Sequence, residues 1–135
     1  MLRFLVAEDD SASRMFLFKL LSQYGECDMV KDGAEAIDAF IMSRKELKPY
    51  DLICLDIMMP KIDGVRVLEA IRDIEKKAGI LQSRRSRVVL TTALAKGELV
   101  KSAYEIGCDA YFQKPIHIHD FLEIVNKIKE SEAVI

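Results

Sequence analysis

The chain has 135 residues, half of them apolar, which suits one domain with a sizeable core. A net charge of −2 gives no compositional signal for nucleic acid. No run approaches the roughly 20 apolar residues of a membrane span. Cys27, Cys54 and Cys108 are odd in number and form no C-x-x-C pair, which excludes a disulfide framework and a thiolate metal site on spacing. The opening "MLRFLVA" is too short for a signal segment and runs straight into "EDD", so a cytoplasmic chain is expected.

The first apolar run, "FLVA", reads as a strand and is followed at once by Glu8, Asp9 and Asp10. Ser11 to Tyr24 then repeats at helical spacing, with Leu17, Leu20, Leu21 and Tyr24 on one stripe. "CDMV" is a weaker strand signal. The next helix runs from Asp32 to about Lys45 and opens on "DGAE", where Asp32 and Glu35 form a capping-box pattern. "DLICL" is a third strand, with Cys54 in its core, and Asp56 ends it. Pro60, Asp63 and Gly64 mark a turn before a helix from Asp63 to about Lys77. A long basic connection, Lys76 to Arg87, reads as a surface loop with a helical extension at its start. "RVVLTT" is the fourth strand. A helix from Gly97 to Ile106 stops at Gly107, and "DAYF" is the fifth strand. His117 to Lys129 closes the series, with Phe121, Leu122, Val125 and Ile128 facing inward.

Strand and helix alternate five times. Short continuous apolar strands joined through helices predict an α/β doubly wound parallel sheet with right-handed crossovers. The single domain is placed at residues 1–130, with 131–135 as a C-terminal tail. In such sheets ligands gather beyond the carboxyl ends of the strands. There the pattern places Glu8, Asp9 and Asp10, then Asp56, then Thr91 and Thr92, then Lys114 and Pro115.

The chemistry of that group can be argued from charge. Clustered carboxylates repel unless a cation intervenes. An all-oxygen set of this kind suits Mg²⁺, which keeps several waters and accepts phosphate oxygens. Asp56 stands at its strand end as a candidate nucleophile able to form an acyl phosphate. Mg²⁺, Lys114 and the Thr92 hydroxyl could then each meet one phosphoryl oxygen. Competing readings exist for each residue: a solvated strand-end carboxylate for Asp56, a helix start for Asp10 or Ser11, plain strand propensity for Thr91, a surface lysine for Lys114. His117 and His119, at i, i+2, read as surface histidines, Arg84, Arg85 and Arg87 as a solvated run, and Met58 and Met59 as apolar packing.

In this order, "EDD", "LDIMMPKIDG", "TTA" and "KP" resemble a response-regulator receiver domain of two-component signalling, over about Leu2 to Lys129. The resemblance implies a (βα)5 flavodoxin-like fold with strand order 2-1-3-4-5. It implies Asp56 as phosphoacceptor, Glu8, Asp9, Asp56 and the Met58 carbonyl as the Mg²⁺ set, and Thr92 and Lys114 as the supporting pair. Tyr111 would be the switch aromatic, and the Lys114–Pro115 bond would be cis. Glu8 stands where aspartate is commoner, and His117 where an aspartate or serine often caps the last helix.

The implied function is a phosphorylation switch rather than an enzyme. A histidine kinase or histidine phosphotransfer protein would load Asp56. The surface of the fourth helix, fifth strand and fifth helix would then change for a protein partner. A monomer or a phosphorylation-dependent dimer is expected, with no direct nucleic acid contact. The chain ends soon after its last helix, at "ESEAVI", so a stand-alone receiver is expected, against a receiver cut from a larger regulator or hybrid kinase, or a non-phosphorylated scaffold. Met58 and Leu94 lie two places after Asp56 and Thr92, where the family tunes hydrolysis. Both are apolar, which implies slow self-dephosphorylation. Two other chemistries compete. An aspartate-nucleophile phosphohydrolase would place its acids after the first strand. A flavin-binding domain would carry a Ser, Thr and Gly-rich phosphate loop there instead of "EDD".

Overall fold

A computed structural model describes residues 1–93 and 97–133 of the chain. Five strands, β1 (Leu2–Ala7), β2 (Gly25–Val30), β3 (Leu52–Asp56), β4 (Arg87–Thr92) and β5 (Ala110–Gln113), alternate with five helices. The helices are α1 (Ser11–Leu21), α2 (Gly33–Lys45), α3 (Gly64–Lys77), α4 (Gly97–Ile106) and α5 (Ile118–Ala133). All strand pairs are parallel, in the expected order β2-β1-β3-β4-β5.

The apolar runs are buried on both faces because successive side chains point to opposite sides of a strand. Leu5, Ala7, Ile53, Leu55, Val88 and Leu90 pack with Phe40, Val67, Leu68 and Ile71 on one side of the sheet. Phe4, Val6, Leu52, Cys54 and Val89 pack with Leu17, Leu21, Phe121 and Val125 on the other. β2 is an edge strand with no fully buried residue, which explains its weak apolar signal.

Helix starts follow local chemistry. Asp10, Asp32 and Asp63 are N-caps, each accepting a hydrogen bond from the backbone N–H three residues on. In α2, Glu35 reaches the Lys31 N–H (2.8 Å) rather than that of Asp32, so the pattern caps one residue further out than the motif implies.

Three sequence boundaries shift. α1 ends at Leu21 rather than Tyr24, because the Tyr24 N–H closes a turn onto the Leu21 carbonyl (2.9 Å) and β2 begins at Gly25. α5 runs past Lys129 to Ala133, into the expected tail. The Lys76–Arg87 connection carries a 3₁₀ turn at Gln82–Arg84 and is not wholly a surface loop. Ser86 within it is buried, held by the buried Glu75 carboxylate through its N–H (2.8 Å) and by the Tyr50 carbonyl through its hydroxyl (2.6 Å). No helix of the described residues is long and apolar enough to cross a membrane.

Candidate functional site

The carboxyl ends of β1, β3, β4 and β5 converge as the alternation predicts. Asp56 is the last residue of β3 and lies beside Thr91 of β4 in register. It is 5% exposed, which removes the solvated strand-end reading. Its Oδ1 accepts the Met58 N–H (3.1 Å), and its Oδ2 accepts Lys114 Nζ (3.0 Å). Lys114 Nζ also meets Glu8 Oε2 at 2.7 Å. One carboxylate oxygen each from Glu8, Asp9 and Asp56 lies within 4.8 Å of the others. Glu8 is buried and Asp9 exposed, so the notch has a dry floor and an open rim.

Asp10 is absent from this group. Its side chain accepts the Ser13 N–H at 2.8 Å and caps α1, as the helix-start reading expects. Thr91 and Thr92 are both buried, and the Thr92 carbonyl accepts the Lys114 N–H (2.7 Å), tying β4 to the lysine. The Lys114–Pro115 bond is cis. Tyr111 lies half-buried on β5 beside the α2–α3–α4 core. Met59 is in that core, but Met58 is 61% exposed, so the packing reading fails for Met58: its loop faces solvent where the motif leaves the strand. His117, just before α5, and His119, within it, are exposed and lie 3.4 Å from Asp120 and 3.3 Å from Glu123 of that helix. Leu94 lies outside the described residues.

The electrostatics show a site short of positive charge. Burial, together with the hydrogen bond and charge of Asp56, pushes the Glu8 carboxyl up to about 7, in spite of the opposing pull of Lys114. Burial would lower Lys114, but its hydrogen bonds to Glu8 and Asp56 win and hold it above the ordinary lysine value. One ammonium thus serves two buried acids with a third at the rim. An all-carboxylate oxygen set with this deficit fits a hard divalent cation, and Mg²⁺ above softer metals.

The loop after β3 is held by neighbours that the motif reading did not single out. A side chain at Gly64 would meet the Asp56 carbonyl at 2.5 Å, and one at Gly33 would meet the Ile62 carbonyl at 2.0 Å. The loop therefore lies directly on the first turns of α3 and α2, which only glycine permits. Lys61, at φ 70°, pairs with Asp32 (3.4 Å) across the same seam. The repeated "DG" at 32–33 and 63–64 was a legible trace of this packing.

Residues 4–126 match the family model for the response regulator receiver domain. The chain is 33% identical over 133 residues to the chemotaxis protein CheY of Treponema pallidum, covering 93% of this chain and 81% of that protein. It is also 33% identical over 123 residues to hybrid signal transduction histidine kinase I of Dictyostelium discoideum, covering 90% of this chain but 7% of the kinase. Among solved structures, the CheX-CheY-BeF3-Mg²⁺ complex of Borrelia burgdorferi superposes with a TM-score of 0.76 at 27% identity, over 94% of this chain and 88% of that one.

Proposed function

The chain belongs to the response regulator receiver domain family, and from that premise we propose that Asp56 accepts a phosphoryl group from the phosphohistidine of a kinase or phosphotransfer protein. The observation that carries this reading is the Lys114 ammonium bonded to both Glu8 and Asp56, inside a notch where the oxygens of Glu8, Asp9 and Asp56 lie within 4.8 Å. A buried carboxylate with one oxygen held by a lysine and the other by a main-chain N–H is oriented for attack.

In the step itself an Asp56 oxygen forms a bond to phosphorus as the phosphorus–nitrogen bond of the donor breaks. The imidazole leaves with the bonding electron pair and takes a proton from solvent. Glu8, Asp9, Asp56 and the Met58 carbonyl would hold Mg²⁺, which supplies charge neutralisation for the transferring oxygens. Lys114 moves from the Asp56 carboxylate to a phosphoryl oxygen, and the Thr92 hydroxyl donates to another. Tyr111 then turns inward, which changes the surface of α4, β5 and α5. Tyr104 and Ile118 already stand about half exposed on α4 and α5. The apolar Met58 beside the site cannot orient an attacking water, which supports a long-lived acyl phosphate.

The CheY relative and the hybrid kinase, each 33% identical to the chain, both support a receiver role in two-component signalling. The presence of Mg²⁺ and BeF3 in the CheX-CheY complex of Borrelia burgdorferi, which has the same fold, supports the ion and the acceptor chemistry. The test is beryllofluoride with Mg²⁺, followed by amide NMR. The expected result is a set of large shifts at Asp56, Thr92, Tyr111 and Lys114 that is lost in Asp56→Asn. Shifts confined to surface residues, or unchanged by that substitution, would overturn the reading.

A further inference from the structure

Glu8 and Asp9 are consecutive, yet each places a carboxylate oxygen within 4.8 Å of one Asp56 oxygen. In an extended strand neighbouring side chains point to opposite faces, so the main chain must turn between them. β1 ends at Ala7, and the turn lies just beyond it.

The turn has an anchor on each side. The Glu8 N–H donates to the Val30 carbonyl (3.2 Å), fixing the near end to β2. On the far side Arg14, half-buried early in α1, sends Nη1 to the Glu8 carbonyl (2.9 Å) and the Asp9 carbonyl (3.3 Å). One guanidinium nitrogen therefore gathers the carbonyls of both acidic residues. The Arg14 N–H also donates to the Asp10 carbonyl (2.9 Å), so three successive carbonyls of the acidic loop end on this one residue. Arginine can do this because its fork is planar, fixed and always charged, whereas lysine offers a single mobile point.

We propose that Arg14 is the positioning residue of the cation notch, holding the turn that aims the Glu8 and Asp9 carboxylates at one point beside Asp56. Arg14 touches neither the reacting atoms nor a carboxylate of the cluster. It acts through the carbonyls behind them.

This role makes a signed claim. If Arg14 were only a nearby positive charge, removing it would strengthen binding of a divalent cation. If it holds the loop, removing it weakens binding, because the carboxylates must then be ordered at the cost of binding energy. A lost charge-assisted hydrogen bond to main chain corresponds to about a tenfold change in affinity.

The inference rests on the metal-binding reading above, and the experiment separates the two. Mg²⁺ is titrated calorimetrically into wild type, Arg14→Ala and Arg14→Lys, with thermal melting as a check on the fold. The expected result is affinity about tenfold lower in Arg14→Ala, in a variant that still melts in one cooperative transition, with Arg14→Lys in between. Equal or tighter binding by Arg14→Ala would overturn the proposal. Failure of wild type to bind Mg²⁺ would instead overturn the functional reading. Amide shifts of Glu8, Asp9 and Asp10, recorded without any cation, then decide on Arg14: large changes in Arg14→Ala uphold its hold on the turn, and unchanged shifts refute it.

Discussion

Glu75→Ala should be among the most damaging single substitutions in the protein, although it lies far from the acidic notch. The Glu75 side chain is fully buried at the amino-terminal edge of the sheet. Its oxygens accept Arg72 Nη1 (2.6 Å), the Ser86 N–H (2.8 Å) and Arg44 Nη2 (3.3 Å). Arg72 in turn donates to the carbonyls of Ser86 (2.8 Å) and Gly107 (2.9 Å) and to Asp109 (3.0 Å). One carboxylate thus joins α2, α3, the long connection and the end of α4. Removing it strands a buried N–H and takes the carboxylate from the largely covered Arg44 guanidinium, while Arg72 keeps only the more exposed Asp109. Breaking a buried pair from one side costs roughly 3–5 kcal/mol. The Arg72 and Arg44 side chains keep 14% and 21% of their exposure, so water offsets part of this and the lower end, about 3 kcal/mol, is expected. Urea unfolding should show a lower midpoint at constant slope, while Mg²⁺ affinity stays within about twofold because the network sits at the opposite edge from the notch. A loss below about 1 kcal/mol would refute the reasoning, because it would place Glu75 in the range of an ordinary surface ion pair.

Gly33→Ala should destabilise by roughly 1–3 kcal/mol, an overpacking cost, since its methyl group would meet the Ile62 carbonyl at 2.0 Å. Denaturation measures that cost, and a parallel loss of Mg²⁺ affinity would show that the loop after β3 has moved. Asp63→Ala should cost about 1 kcal/mol through loss of the α3 cap, read as a lower urea midpoint. The capping bonds from the Ser13 and Glu35 N–H groups hold Asp10 and Asp32 below the ordinary aspartate value of 3.8. Their contribution is therefore complete above that value and is lost as pH falls through the lower folded values. Acid melting curves should flatten in the double variant Asp10→Asn, Asp32→Asn, and an unchanged curve would contradict this.

Much of the candidate site was legible because each candidate side chain sits where a periodic segment stops. Asp56, Thr92 and Lys114 each end or follow an apolar run, and a parallel sheet brings such ends together whatever their distance in the chain. The aspartates that open the helices carry their own mechanism in their spacing. What stayed hidden depends on contacts between elements. Arg72 and Glu75, at i, i+3 on a helix, look like a solvated pair until Ser86 and Arg44 fold over them. Arg14 looks like one more helix charge, because its partners are carbonyls and no sequence pattern marks a carbonyl. The end of α1 was misplaced because Tyr24 continues an apolar stripe that tertiary packing uses after the helix has ended.

The central claim is covalent and can be read directly. The protein is incubated with a small phosphodonor and Mg²⁺, the acyl phosphate is reduced with borohydride, and the peptides are mapped by mass. The account requires homoserine at position 56 in wild type and none in Lys114→Ala samples treated without Mg²⁺. Reduction at any other carboxylate, or label persisting in Asp56→Ala, would contradict it.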